Sequence, residues 1–71
     1  MNFKNMKIPV ENNLDEIVAI LESKGYTPQI ILWSPTWVIT NDLGSYSLFQ
    51  HEPSDIYRKY ETTTLAELKE M

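Results

Sequence analysis

The stretch IILWSPTWVITNDLGSYSLF, Ile30 to Phe49, holds both tryptophans of the chain and is cut twice by turn-forming residues. β-branched and aromatic side chains favour the pleated, half-buried surface of a sheet. Proline lacks a backbone donor, so Ser34-Pro35 reads as a turn rather than the middle of a strand. Asn41-Asp42-Leu43-Gly44 is a second turn signal. Segment 29–49 is therefore expected to be a three-stranded antiparallel meander, with strands at 29–33, 36–40 and 45–49.

Two short loops would set the register. A four-residue loop over 41–44 places Thr40 opposite Ser45, Val38 opposite Ser47 and Trp37 opposite Leu48. A two-residue loop at Ser34-Pro35 places Leu32 opposite Trp37. Side chains alternate across a strand, so one face would carry Ile30, Leu32, Trp37, Ile39, Tyr46 and Leu48. The other would carry Ile31, Trp33, Thr36, Val38, Ser47 and Phe49. A bulge at Ser34-Pro35 would flip the first strand.

The flanks read as helices. In 13–24, Leu14, Ile17, Val18 and Leu21 repeat at the spacing of one buried stripe. Asn13 with Glu16 resembles a capping box, Asp15 and Glu16 suit the positive end of the dipole, and Gly25 suits the left-handed residue after a helix. Over 65–71, Thr64 and Glu67 form a second capping box, and Leu65 and Leu68 supply an apolar side. Residues 1–12 read as an extended arm or an edge strand, since Met6, Ile8 and Val10 alternate with Lys7 and Pro9. Residues 51–55 are a loop by composition, and 56–62 read as a fourth strand or a short helical turn.

The fold class is thus α+β: a helix, an antiparallel three- to four-stranded meander and a short C-terminal helix, with both helices on one sheet face. At 71 residues, 1–71 forms a single small domain. A chain this short buries only about 60% of the surface its unfolded form exposes. Cysteine is absent, which removes disulfides and thiolate metal sites as staples. Good packing or oligomerisation must stabilise it instead.

Helices on one face leave the other as the main functional lead. Ile31, Trp33, Val38 and Phe49 would form an apolar patch there, of the kind that marks interaction surfaces. The first expectation is a non-catalytic protein-interaction domain, of adaptor or inhibitor type, that pairs with a second copy through this face. The plain alternative is that Phe3, Met6, Ile8 and Val10 fold across the patch and make it core.

Other chemistry is sparse. Tyr57, Arg58, Lys59 and Tyr60 interleave bases with aromatics, as a weak single-stranded nucleic-acid binder would. They equally suit a guarded strand edge, and a net charge of −4 opposes a polyanion. His51, Glu52 and Asp55 are the only cluster resembling a catalytic or metal site, in a loop where solvated polar residues are the default. The chain has only two glycines, Gly25 and Gly44, so no phosphate-binding glycine loop is present. No enzymatic activity, cofactor or metal is expected. Neither a signal-peptide run nor a membrane span is visible, and with the missing cysteines this suggests a cytoplasmic protein.

Overall fold

The computed structural model describes residues 3–30, 34–51 and 58–71, with the side chain of Ile30 excepted. In chain order the elements are β1 (Met6–Pro9), α1 (Leu14–Ser23), β2 (Thr27–Ile30), β3 (Trp37–Thr40), β4 (Ser45–Phe49), β5 (Glu61–Thr62) and α2 (Leu65–Glu70). The class is α+β, as expected. The sheet is not a meander: it is a five-stranded mixed sheet in the order β2-β4-β3-β1-β5.

The ends of α1 follow from local chemistry. At its C-terminus Gly25 has φ +96°, and its N–H donates to the Glu22 carbonyl at 3.1 Å while Tyr26 N–H donates to the Leu21 carbonyl at 3.0 Å. This is the Schellman pattern, in which a left-handed residue lets the chain turn back and satisfy the last carbonyls. At its N-terminus the Asn13 side chain makes no capping hydrogen bond, contrary to expectation. In α2 the Thr64 hydroxyl accepts from Glu67 N–H at 3.2 Å and donates to the Glu67 carboxylate at 3.1 Å.

Among the described residues only the β3–β4 hairpin of the expected meander is formed, and its register differs by one residue. Thr40 pairs with Tyr46, Val38 with Leu48 and Trp37 with Phe49. The cause lies in the turn. Asn41 Oδ1 accepts from Leu43 N–H at 2.9 Å and from Ser45 N–H at 3.0 Å. Asn41 N–H in turn donates to the Ser45 carbonyl at 3.0 Å, so Ser45 lies opposite Asn41 instead of Thr40 and each later pair moves by one. Gly44, at φ +86°, lies under the Phe3 ring, which also packs edge-on to Tyr26 at 4.8 Å.

A slip of one residue moves side chains to the opposite face. Val38 was expected on the open face; it is fully buried on the helix side, with Leu48 and Tyr46. Trp37 was expected beneath the helices; its register partners Phe49 and Pro9 place it on the other face.

The first strand of the expected meander pairs elsewhere. β2 runs parallel to β4, not antiparallel to β3. The free side of β3 is taken by β1, antiparallel, with Ile8 opposite Val38. Of the segment read as an arm or an edge strand, Met6–Pro9 form β1, which lies between β3 and β5, and Met6 and Ile8 are fully buried in the helix-side core. Of the fourth strand expected over 56–62, Glu61 and Thr62 form a strand, parallel to β1; 56 and 57 lie outside the described residues.

Pro9 fits this interior strand for a geometric reason. Val10 N–H donates to the Thr36 carbonyl at 2.8 Å, so the preceding nitrogen points the other way, towards β5. The pairing with β5 extends only over Met6 and Lys7, so no ladder bond is lost.

One core layer joins the elements. Ile17 and Leu21 of α1 and Leu68 of α2 are fully buried against Met6, Ile8, Val38, Tyr46 and Leu48. Both helices therefore cover the same sheet face. Lys69 of α2 meets Glu16 of α1 at 2.6 Å, an exposed pair of little energetic weight.

Thr40 is a buried polar residue in this layer, at 1% exposure. Its hydroxyl accepts from Met6 N–H at 2.8 Å and donates to the Lys4 carbonyl at 2.8 Å. It thus ties the start of β1 to the end of β3. Replacing it with valine keeps the shape but orphans both backbone groups. Thr40→Val is expected to destabilise by about 1–3 kcal/mol, and Thr40→Ser by clearly less, as read by urea unfolding. Gly44→Ala is expected to destabilise by about 1–2 kcal/mol from the left-handed backbone, and its methyl would in addition sit 3.1 Å from the Phe3 ring.

Candidate functional site

The sheet face turned away from α1 and α2 is built from alternate strand positions. Pro9, Trp37 and Phe49 form one row across β1, β3 and β4, and Lys7, Ile39 and Ser47 form the next. Trp37 and Phe49 are half-buried, whereas Ile39 retains 5% of its exposure and Ser47 9%. The face has an apolar middle and aromatic sides. Glu61, the one acid in the described strands, pairs with Met6 and shares the helix side.

A shallow groove of about 120 Å³ runs over this face, lined by Gln29, Ile39, Asn41, Ser47, Phe49 and Tyr60, with Thr40 at its end. Ile39 and Ser47 form its floor. Ser47 Oγ donates to Gln29 Oε1 at 3.1 Å. Tyr60 reaches it from the turn before β5, and the Lys59 ammonium lies 5.9 Å from the Tyr60 ring centre.

The expected site residues separate on this framework. Phe49 is on the face away from the helices. Val38 is on the opposite side and wholly enclosed, so it offers no surface to a second molecule. Ile31 and Trp33 lie outside the described residues. Arg58 and Lys59 are exposed and Tyr60 is half-buried, while Tyr57 lies outside. His51 is exposed, and Glu52 and Asp55 lie outside. Among the described residues no group of three His, Cys, Asp or Glu side chains is placed to hold a metal ion, and no helix is long and apolar enough to cross a membrane.

Sequence reasoning missed Trp37, Gln29 and Asn41 as members of this face. Trp37 and its neighbours were assigned by a register one residue out. Gln29 arrives because β2 pairs with β4, and no local signal announces that partner. Asn41 was seen only as a turn residue.

A second polar pair lies on the helix side. Tyr46, 3% exposed, donates its hydroxyl proton to Glu22 Oε1 at 3.2 Å. Burial is the main cause that raises the phenol above its ordinary 10.0, with the Glu22 charge and the hydrogen bond to it adding in the same direction. The arrangement favours the neutral phenol, as a structural buried tyrosine requires.

No protein-family model matches the chain, and no curated protein or solved structure matches it.

Above pH 10.0 the unfolded chain releases the Tyr46 proton while the folded chain still holds it. Stability must then fall as pH rises. The advantage of the native protein over Tyr46→Phe is expected to be constant below that pH and to shrink as pH climbs through the raised value. Urea unfolding of both proteins across the alkaline range measures this.

Proposed function

We propose that the chain is a non-catalytic protein-interaction domain that pairs with a second copy of itself through the sheet face opposite the helices. The observation that carries this reading is the row of Pro9, Trp37 and Phe49 on a face that neither helix covers. Aromatic side chains on a rigid sheet supply large contact area at low entropic cost, and Trp is the commonest kind of hot-spot residue. A 71-residue chain also gains more than a large one from burying a face against a copy.

The sheet edges suit pairing less well. Thr27 N–H donates to the carbonyl of Gly44, the residue before β4, at 2.9 Å, so the next nitrogen, that of Pro28, points away from β4 to the outer edge of β2. That edge lacks a donor where a new strand would need one. β5 at the other edge is two residues long. Association through the face is therefore favoured over strand addition.

The nucleic-acid alternative, through Tyr57, Arg58, Lys59 and Tyr60, has less support. Lys59 is already turned to Tyr60, and the net charge of −4 repels phosphates at long range.

Sedimentation equilibrium is expected to find a concentration-dependent dimer. Trp37→Asp should weaken it roughly thirtyfold or more, the loss of one hot spot, with helical circular dichroism retained. A native protein that stays monomeric at the highest soluble concentration would overturn the reading.

A further inference from the structure

The groove on the second sheet face has a chemical bias that does not depend on self-association. Two carboxamides line it, Gln29 and Asn41, and each has its oxygen committed to the protein. Gln29 Oε1 accepts from Ser47 Oγ, and Asn41 Oδ1 accepts two backbone N–H groups of its own turn. For Asn41 the assignment is chemically forced, since only the oxygen can receive those protons. What each amide retains is its NH₂ group, with donors not used in these bonds. The Thr40 hydroxyl is likewise occupied, by Met6 N–H and the Lys4 carbonyl.

The rest of the lining completes the bias. Ile39 and the rings of Phe49 and Tyr60 are apolar surface, and among the described residues no acid lines the groove. Amide donors in a groove that also carries Ile39, Phe49 and Tyr60 match an acceptor at the end of a short hydrocarbon. The volume of about 120 Å³ equals the share of roughly four waters in the liquid, room for a handful of heavy atoms. We infer that the groove binds a small carboxylic acid, with its carboxylate on the Gln29 and Asn41 NH₂ groups and its alkyl stem over Ile39 and between Phe49 and Tyr60.

The side-chain NH₂ groups report on this directly, because they give their own signals in a proton–nitrogen correlation spectrum. The experiment titrates ¹⁵N-labelled protein with sodium butyrate and, separately, with butylammonium chloride at equal ionic strength. The Gln29 and Asn41 NH₂ signals are expected to shift saturably with butyrate, in the millimolar range, and to stay still with butylammonium. Gln29→Glu sets a negative charge in place of a donor on an exposed residue. It should weaken butyrate binding about tenfold or more while leaving the backbone spectrum folded.

The titration is repeated on Trp37→Asp, so that a groove covered by a second copy is told apart from a groove without affinity. Saturable shifts in either background support the inference. NH₂ signals that respond to neither probe in both backgrounds, or equally to both probes, overturn it, whatever the sedimentation result.

Discussion

The Asn41 side chain sets the register on which the rest of the molecule depends. By accepting from Leu43 and Ser45 N–H, while the Asn41 N–H donates to the Ser45 carbonyl, it sets Ser45 opposite Asn41 and Thr40 opposite Tyr46. That rung places Val38, Thr40, Tyr46 and Leu48 on one side, and the helices can bury only that side. The alternative rung would oppose Val38 with Ser47 and Trp37 with Leu48. It would leave each face with a mixture of buried and wet positions. The neighbouring Gly44 makes the tight turn possible, and Phe3 closes over it.

β1 then completes the central sheet. Its N–H groups and carbonyls pair with β3, and the Thr40 hydroxyl binds the backbone at both Lys4 and Met6, where the strand begins. A buried hydroxyl in this position serves as a ladder bond made by a side chain. The two prolines within the described strands, Pro9 and Pro28, sit where a missing donor costs nothing within the sheet. One faces a strand that has already ended, and the other faces the outside of an edge. The polar and conformational exceptions in the sequence thus fall at positions where the topology can absorb them.

Two sides of different chemistry result. The helix side carries the acids of α1 and α2, and its polar contacts, such as that of Tyr46 with Glu22, are structural. The opposite side carries tryptophan, phenylalanine, isoleucine and proline from the strands, with no acid among the described strand residues facing it. Gln29 and Asn41 line one groove on that side because β2 lies beside β4.

Local rules were enough for much of this. The stripe of Leu14, Ile17, Val18 and Leu21, the glycine stop at Gly25 and the Thr64–Glu67 cap are short-range matters, legible because each depends on neighbours within a turn. The β3–β4 hairpin was legible for the same reason. The absence of disulfides and thiolate ligands followed from composition. Tertiary structure decided the strand partners, the register and therefore the membership of the candidate face. Phe49 was placed on the correct side, while Val38 and Trp37 exchanged sides, because a period of two turns a one-residue error into a full reversal. Strand pairing is settled by which surfaces can be buried together across the whole chain, and Thr27–Ile30 carries no mark that distinguishes β4 from β3 as its neighbour.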